Sequence, residues 1–397
     1  MCYNTLGSFG PCLRMAIKSI YQAKNLKNKC VLVRVDFNVP IKNGTVVDTF
    51  KIQKSVPTIK YLLNKGAHIV LVSHLGRPTK FDKKLSLRPL VRPLQKLLGI
   101  EVCFSDVAHF DNSQYCRVTL LENIRFYPGE EKNDPKFAKQ LAGCADIFVL
   151  DGFAVAHRES ASVSGVTKFL PTYAGLLLAA EIAGLSKIID KPKKPFVVVL
   201  GGAKMETKIP VLKNLLSQAD HILVGGGIAN TYWWAKGKKI GDSLIDKDYK
   251  KEALLYGGNK KIILPVDVIV GPANGKKAKA VATDKLSLKP GLGIYDVGPR
   301  TIHLFAQYIK GANTVVWNGA LGRFEQKPYQ YGTYSVARLM AARAKGKAFG
   351  VCGGGETVEV LQKLHLMDDV DLVSTGGGAM LEFLSGAKLP GLKIFHK

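Results

Sequence analysis

The sequence lacks several patterns that would assign it to a common enzyme class. It contains no G-x-x-x-x-G-K-[ST] loop and no G-x-G-x-x-G after an apolar, strand-like run. These absences argue against a P-loop NTPase and a standard dinucleotide-binding domain. The H-E-x-x-H motif of zinc hydrolases and the nucleophile elbow of esterases are also missing. The chemistry must therefore be inferred from the chain as a whole.

Cysteine and long apolar runs are scarce as well. The seven cysteines include no C-x-x-C pair, so we expect buried thiols in a reducing cytoplasm, and neither a disulfide framework nor a zinc site. The longest apolar run, Tyr173 to Ala180, is too short to span a membrane. With 397 residues, 47% of them hydrophobic and 22% charged, the chain is predicted to be soluble and long enough for two domains.

Acidic residues are few in comparison with basic ones. The 31 Asp and Glu residues against 57 Lys and Arg give a net charge of +26, which favours an anionic partner such as a nucleic acid, an acidic membrane or a polyanionic small molecule. The basic residues are dispersed and form no basic tail. We therefore favour a compositional bias or an anionic substrate over nucleic-acid binding.

Short apolar runs, each followed by a polar or glycine-rich break and a helix-like segment, recur from Cys30 onward. The predicted strands are residues 30–36, 68–73, 117–121, 146–151, 196–200, 221–225, 261–268, 313–317, 348–352 and 371–375. The clearest predicted helices are residues 48–65, 87–98, 134–143 and 209–218. Apolar strands that alternate with helices predict an α/β fold with two doubly wound parallel-sheet domains.

Candidate ligand-binding residues follow these strands, because such sheets bind ligands beyond the carboxyl ends of their strands. In the first half they are charged or hydrogen-bonding residues, namely Asp36, Asn38, His74, Arg77, Asn123, Arg125, Asp151, His157 and Arg158. In the second half they are mainly glycines, and 28 of the 40 glycines come after residue 200. Arginines suit a small acid with phosphate and carboxylate groups, and bare glycine turns suit a nucleotide. His74 and His157 are each compatible with a structural role as well.

The central segment, residues 197–208, reads VVVLGGAKMETK. It predicts a buried strand, a tight glycine turn and a helix whose N-terminus can approach an anion. Lys204 and Lys208 are four residues apart, so in a helix they would share one face. An ordinary strand-to-helix turn with solvated lysines is the alternative interpretation.

Ten short motifs, taken together, resemble the phosphoglycerate kinase family. They are RVDFNVP (34–40), SHLGRP (73–78), ENIRF (122–126), DGFAVAHR (151–158), GGAKMETK (201–208), GGG (225–227), LPVD (264–267), WNGALGRFE (317–325), GGGET (353–357) and STGGGA (374–379). Each is weak by itself, but all ten occur in the order of the family, from about residue 16 to residue 393.

The resemblance implies reversible phosphoryl transfer between 1,3-bisphosphoglycerate and MgADP, giving 3-phosphoglycerate and MgATP. The implied substrate-binding residues are Asp36, Phe37, Asn38, Lys51, His74, Leu75, Gly76, Arg77, Arg125 and Arg158. The implied nucleotide-binding residues are Gly202, Ala203, Lys204, Lys208, Gly226, Ile294, Asn318, Glu325, Gly354, Gly355, Glu356 and Thr357. The implied catalytic residues are Lys51, Lys204, Gly354 and Gly377, and the implied Mg²⁺ ligand is Glu356.

The resemblance also implies a domain order. We expect an extension at residues 1–14 that is disordered or precedes a start at Met15, a phosphoglycerate-binding domain at 15–171 and an interdomain hinge helix at 172–190. A nucleotide-binding domain at 191–379 and a tail at 380–397 that packs back toward the hinge and first domain would follow. The expected protein is a cytoplasmic monomer without membrane or nucleic-acid partners. A plain core helix remains the alternative for residues 172–190.

The sequence departs from the family pattern at several positions. Lys51 stands where the family usually has a catalytic arginine, which keeps the charge but loses the planar fork. The other departures are Gly152 and Ala154 in exchanged places, Ile294 for glycine, Ala320 for proline and Glu356 for aspartate. A binding protein of the same fold, weakened at Lys51, is therefore a second hypothesis, and a basic nucleic-acid-binding protein is a third.

Overall fold

The computed structural model describes residues 17–107 and 116–395, so the predicted extension at residues 1–14 lies outside the described residues. The chain divides into two compact units. The first contains the described residues up to Ala183 together with those from Lys388 onward, and the second contains Gly184–Ala387.

The first unit is built on a six-stranded sheet in which every strand pair is parallel. The strands of this unit are β1 (Cys30–Arg34), β2 (Ile41–Lys42), β3 (Thr45–Val46), β4 (His68–Val72), β5 (Cys103–Ser105), β6 (Val118–Leu121), β7 (Ile147–Leu150) and β8 (Thr172–Ala174). Its first helices are α1 (Phe50–Asn64), α2 (Val91–Leu98) and α3 (Pro135–Ala142). The strand order is β5-β6-β4-β1-β7-β8, and β2 pairs with β3 in a separate hairpin.

The central strands β1, β4 and β7 are buried along nearly their whole length. Their apolar side chains form one core with those of α1 and α2, such as Ile59 and Leu94. Because parallel strands point the same way, the residues that follow them meet at one edge of the sheet. This edge carries Asp36 after β1 and His74 after β4.

Helix α4 (Leu176–Asp190) connects the two units, and the boundary between them falls within it. The sequence predicted a helix from residue 172, but Thr172–Ala174 instead pair with β7 as the edge strand β8. Two side chains accept hydrogen bonds from the first turn of α4. The Leu176 N–H donates to Thr58 Oγ1 at 3.0 Å, and the Leu177 N–H donates to Asp151 Oδ1 at 3.0 Å. Asp151 therefore caps this helix from within the first unit.

The second unit contains another six-stranded parallel sheet and two smaller ones. Its strands are β9 (Phe196–Leu200), β10 (His221–Val224), β11 (Lys239–Ile240), β12 (Ile262–Ile263), β13 (Asp267–Gly271), β14 (Lys279–Ala282), β15 (Ser287–Leu288), β16 (Gly293–Val297), β17 (Thr314–Asn318), β18 (Phe349–Gly353) and β19 (Leu372–Val373). Its helices are α5 (Ile209–Leu215), α6 (Gly226–Ala235), α7 (Lys250–Gly257), α8 (Pro299–Gly311), α9 (Tyr331–Ala344), α10 (Gly355–Lys363) and α11 (Gly377–Leu384). The order of the main sheet is β12-β10-β9-β17-β18-β19.

One predicted strand, residues 261–268, is wrong. Residues 262–263 form the edge strand β12 of the parallel sheet, and Asp267–Gly271 form β13 of an antiparallel sheet in the order β14-β13-β16. Pro265 lies between the two strands and has no N–H to donate to a sheet, so the apolar run breaks there. The two parallel α/β sheets confirm the predicted fold class.

The chain returns to the first unit at Lys388, where α12 (Pro390–Lys393) follows. The Gly391 N–H donates to the Ala156 carbonyl at 2.8 Å, and a side chain at Gly391 would collide with the Ala156 backbone. Among the described residues, no helix combines the length and apolar character needed to cross a membrane.

The cysteine prediction needs a correction. A disulfide joins Cys103 and Cys116, whose Cα atoms are 6.1 Å apart. Spacing alone could not reveal this pair, because β5 and the start of β6 become neighbours only when the sheet forms. Cys144 and Cys352 are buried free thiols, as expected, and Cys30 is a half-buried one. The remaining two cysteines, at positions 2 and 12, lie outside the described residues.

Candidate functional site

The edge of the first sheet holds an ion pair between two of the predicted substrate-binding residues. Lys51 Nζ, on the first turn of α1, lies 2.6 Å from Asp36 Oδ2. Asp36 is 5% exposed and accepts the Asn38 N–H at 3.0 Å. Burial acts to raise the pKa of Asp36, but the charge and the hydrogen bond of Lys51, together with the Asn38 N–H, outweigh it and hold this pKa below its usual value. The carboxylate therefore stays ionised.

The loop after β4 is held by the residues around it. Gly76 has a φ of +62°, a conformation that favours glycine. Its N–H donates to Asn38 Oδ1 at 3.1 Å, and its carbonyl accepts Arg125 Nη1 at 2.5 Å. Asn123, which is fully buried, donates to the Leu75 carbonyl at 2.8 Å and accepts the Arg125 N–H. Asn38, Gly76 and Arg125 thus form one connected group.

Arg125 lies close enough to two further arginines, Arg158 and Arg77, for their charges to change its pKa. The pKa of Arg125 is lowered from its usual value, first by burial and then by the charge of Arg158, with Arg77 adding to the effect. Arg125 Nε also lies 3.3 Å from Glu131 Oε1. Arg77 is exposed and Arg158 half-buried. Clustered guanidinium groups of this kind are suited to a ligand with phosphate and carboxylate groups.

Two predicted substrate-binding residues have side chains that are buried in the hydrophobic core and not at the edge of the sheet. The side chains of Phe37 and Leu75 are 0% and 5% exposed and belong to the hydrophobic core. The Phe37 N–H donates to Ser73 Oγ at 2.8 Å, and the Leu75 carbonyl accepts from Asn123. These residues shape the loops that carry the polar side chains.

In the second unit, the corresponding edge is built from glycine backbone. Gly202 and Gly319 have φ values of +94° and +89°. A Cβ on Gly201 would lie 2.1 Å from the Ala320 carbonyl oxygen, and one on Gly319 would lie 2.5 Å from the Gly201 oxygen. The Gly202 N–H donates to the Ala320 carbonyl at 2.7 Å. Only glycine allows the loops after β9 and β17 to approach so closely.

Three helices at this edge begin with glycine. They are α6, α10 and α11, which start at Gly226, Gly355 and Gly377. Gly354 precedes α10 with a φ of +100°. A Cβ on Gly377 would lie 3.0 Å from the Gly354 Cα, so the structure brings these two predicted catalytic glycines together. Helix N-termini with free N–H groups are suited to anions.

Lys204 and Lys208 do not share a helix face, so this prediction is wrong. Helix α5 begins at Ile209, with Pro210 in its first turn, and residues 201–208 form irregular turns. Lys208 is 8% exposed and hydrogen-bonds to Asn318 Oδ1, whereas Lys204 is exposed. Glycine and proline delay the helix because proline is favoured at a helix start and glycine before it.

Lys208 lies near Glu356, another predicted nucleotide-binding residue. Burial lowers the pKa of Lys208 to about 8, and the charge of Glu356 opposes this shift. Glu356 Oε2 accepts the Ala320 N–H at 3.0 Å. Asn318 Nδ2 is buried and, among the described residues, has no hydrogen-bond partner. Thr357 is fully buried and its Oγ1 accepts the Gly319 N–H at 2.9 Å, so its side chain supports the loop.

A cavity of about 320 Å³ lies beside these glycine turns. Its lining includes six of the predicted nucleotide-binding residues, which are Gly202, Ala203, Gly226, Ile294, Glu325 and Glu356. Trp233 and Asn230 of α6 also line it. A mostly apolar cleft of this size with a few polar groups is typical of small-molecule sites.

Reasoning from the sequence missed Asn230 and Arg34 and did not place Trp233, which we expect from the sequence to pack in the core, beside a cavity. Asn230 is 3% exposed, and its Oδ1 has no hydrogen-bond partner within the described part of the chain. Trp233 is 4% exposed and packs in the core beside the cavity. Arg34 is a buried charge within an apolar strand, and this signal, visible as CVLVRVD, could have identified it.

Comparison with known proteins agrees with the resemblance in the sequence. A model of the family described as phosphoglycerate kinase matches residues 20–387. A phosphoglycerate kinase from Pelotomaculum thermopropionicum is 44% identical over 384 residues, which cover 93% of this chain and 96% of the relative. One from Dictyoglomus turgidum is 42% identical and covers 96% of this chain and its own full length.

Solved structures agree with this assignment. The phosphoglycerate kinase from Coxiella burnetii has a TM-score of 0.83 and 39% identity, and covers 96% of this chain and 99% of its own. That from Pyrococcus horikoshii OT3 has a TM-score of 0.84 and 31% identity, covering 96% and 98%. The chain therefore belongs to the phosphoglycerate kinase family.

Proposed function

We propose that this protein catalyses reversible phosphoryl transfer between 1,3-bisphosphoglycerate and MgADP, giving 3-phosphoglycerate and MgATP. One observation carries the proposal. In this member of the family, one unit holds a cluster of basic side chains, and the other unit holds a glycine-rich edge that lines a cavity. The first suits a small phosphorylated acid, and the second suits a nucleotide.

The first unit would bind the phosphoglycerate. Arg125, Arg158 and Arg77 would hold its phosphate and carboxylate, since guanidinium groups bind both in a bidentate manner. Asn38 and His74 would add neutral hydrogen bonds, and Asp36 would orient Lys51 through their 2.6 Å ion pair. Phe37, Leu75 and Gly76 would contribute through the shape and backbone of their loops.

The second unit would bind the nucleotide. The base would occupy the cavity beside Ile294, with the backbone of Gly202, Ala203 and Gly226 along its wall. Glu325, exposed at the cavity, would accept from the ribose hydroxyls. The phosphate chain would meet Lys204, Lys208, the free Nδ2 of Asn318 and the start of α10, residues 354–357.

The residues at this edge fit a Mg²⁺ ion that arrives with the nucleotide. Mg²⁺ is usually held by one or two carboxylates together with substrate phosphates. Glu356, exposed in the first turn of α10, uses Oε2 for the Ala320 N–H, and the structure records no partner for Oε1 among the described residues. When bound, the ion would neutralise charge on the phosphate chain.

Positioning and positive charge would provide the catalysis, because phosphoryl transfer passes through a loose, highly charged transition state. Lys51 and Lys204, together with Lys208 where it contacts the transferring group, would stabilise the moving group as cations, and the Gly377 and Gly354 N–H groups would do so as dipoles. The two ligands must meet, so we propose bending at α4 and exclusion of water from the acyl phosphate. We also propose that the enzyme is a cytoplasmic monomer.

The family match favours an enzyme over both a weakened binding protein and a nucleic-acid-binding protein. The test is a coupled assay of the purified protein with 3-phosphoglycerate and MgATP. We expect saturable ADP formation that needs both substrates and Mg²⁺. Saturable binding of both ligands without turnover would support the binding protein instead. Salt-dependent RNA binding that neither ligand displaces would support the nucleic-acid hypothesis.

A further inference from the structure

Arg34, at the last position of β1, is a buried arginine that contacts several segments of the first unit. It is 2% exposed. Its Nε donates to Ser162 Oγ at 2.8 Å, and its Nη1 donates to the carbonyls of Val35 at 2.6 Å and Val72 at 3.3 Å. The remaining nitrogen, Nη2, lies 3.2 Å from His74 Nδ1. All three guanidinium nitrogens are therefore engaged.

A buried carboxylate fixes the orientation of this guanidinium through Ser162. Glu130 is 2% exposed, and its Oε1 accepts Ser162 Oγ at 2.6 Å and Ser160 Oγ at 2.8 Å. Its Oε2 accepts the Ser162 N–H at 2.9 Å. Arg34 cannot turn away from His74 without leaving buried donors and acceptors unpaired, which is energetically costly.

The contact with Arg34 determines which nitrogen of His74 carries the proton. A guanidinium group has only donors, so the Nδ1 atom beside it must accept. The ring is then neutral, and its proton is on Nε2. His74 is 5% exposed, and among the described residues the hydrogen bond recorded for its ring is the one at Nδ1, so the structure gives no protein partner for Nε2. This N–H is therefore left to donate to a ligand.

The charges around His74 also favour the neutral ring. Burial and then Arg34, followed by Arg125 and Lys51, lower the pKa of His74 well below its usual value, while Asp36 alone acts in the opposite direction. These groups come from the end of β1, from the 3-10 turn Ile124–Phe126 and from α1. The geometry and the electrostatics thus agree.

We propose that Arg34 is a positioning residue that holds His74 in the neutral Nε2–H tautomer, so that Nε2 donates a hydrogen bond to the anionic acid substrate. A neutral histidine without such a partner exchanges between tautomers and would present a lone pair to the anion part of the time. The identity of the acid rests on the proposed function, whereas the tautomer does not.

The direct test is ¹⁵N NMR of the histidine side chains in the substrate-free wild-type protein, with His74 assigned from its loss in His74→Gln. We expect an unprotonated Nδ1 and a protonated Nε2 throughout about pH 5 to 8, where an ordinary histidine titrates. A proton on Nδ1, or titration of the ring within this window, would overturn the proposal. This measurement needs neither activity nor a variant of Arg34.

Kinetics test whether the tautomer matters for substrate. We expect Arg34→Lys to raise the KM for 3-phosphoglycerate about tenfold, the value of one hydrogen bond to a charged group, with the KM for MgATP unchanged. Because Arg34 acts through His74, the same change should add nothing in a His74→Gln background. Fully additive effects would refute the positioning role, since a general loss of structure adds to any local change.

The two proposals fail in different ways. If the wild-type protein transfers no phosphoryl group to 3-phosphoglycerate, the proposed function fails, and the NMR result on the tautomer still stands. If transfer occurs but His74 carries its proton on Nδ1, only the positioning role of Arg34 fails. Should Arg34→Lys not fold, the wild-type NMR measurement decides alone.

Discussion

In the first unit, the edge at the carboxyl ends of the strands carries charged side chains that are held in place by hydrogen bonds. The buried Asp36 pairs with the half-buried Lys51, and the buried Arg125 donates to the Gly76 carbonyl. In the second unit, the same edge of a similar sheet is made mainly of glycine peptide groups, such as those of Gly201 and Gly319. Both sheets are parallel, and in both these residues follow the carboxyl ends of the strands. One fold thus carries an edge built from charged side chains in one unit and an edge built from backbone in the other.

The difference determines how each region responds to mutation. A side-chain site recognises its ligand by the number and geometry of its charges, so it is damaged by their removal or by a change of shape. A backbone site has few side chains to remove and is damaged by added atoms.

Lys208 is the main exception in the glycine-rich region, because it is a buried cation bound to Asn318. We expect Lys208→Met to lower kcat about 100- to 1,000-fold, as loss of one stabilising donor to a transition state does. The KM for 3-phosphoglycerate should stay the same. Steady-state kinetics measure both, with Lys213→Met, an exposed lysine of α5, as the matched control. A near-normal kcat would contradict the role of Lys208.

A single added methyl group should damage the backbone site. In Gly201→Ala, the new Cβ would meet the Ala320 oxygen at 2.1 Å, so we expect the free energy of unfolding of the second unit to fall by about 1–3 kcal/mol. Tryptophan fluorescence in urea reports this unit, because all three tryptophans, at 233, 234 and 317, lie in it. In the control, Gly378→Ala, the added Cβ has no atom within 4 Å. Equal stability of the two variants would argue against a close-packed backbone.

The glycine-rich region of the second unit should also respond to alkaline pH, through Lys208. The pKa of Lys208 is about 8, so the free enzyme loses this charge as pH rises through that value. We expect kcat/KM for MgATP to fall about tenfold per pH unit above it. Lys208→Arg, which stays charged, should remove this alkaline fall. A wild-type profile that is flat to pH about 10 would show that Lys208 titrates at its ordinary value.

Local signals predicted much of the fold. Residues 196–200 form β9 as predicted, because five consecutive apolar residues are flanked by Pro195 and followed by Gly201. The prediction of a single strand at residues 261–268 failed. Apolar periodicity does not indicate which sheet the residues on each side of Pro265 will join. Strands with distinct breaks are thus predictable, whereas the choice of sheet depends on tertiary packing.

For the sites, residue type was predictable but arrangement was not. The charged residues after β1 and β4 follow directly from the strand pattern. The contact between Arg34 and His74 depends on the packing of segments that are 40 residues apart in the chain, with Ser162 and Glu130 behind them. No local pattern contains that information. The prediction that Lys204 and Lys208 share a helix face failed for a similar reason. The turn that starts at Gly201 determines where α5 begins, and both lysines precede that helix.

Lys51 gives the subtlest test, because it asks whether the shape of a cation matters in the side-chain region. Lys51 Nζ is held 2.6 Å from Asp36 and offers a point charge. An arginine could keep this ion pair and offer further N–H groups to the carboxyl or the moving phosphoryl group. We therefore expect Lys51→Arg to leave kcat unchanged or raise it, by about tenfold at most, which equals roughly 1.4 kcal/mol of transition-state stabilisation.

The matched control for this change is Lys60→Arg, since Lys60 is exposed on the same helix, α1. Steady-state kinetics in both directions of the reaction would detect the difference between the two variants. A lower kcat in Lys51→Arg alone would mean that the pocket around Asp36 is shaped for an ammonium group. In that case the first region, like the second, would be limited by the space it leaves for added atoms, and the contrast between the two would be one of degree.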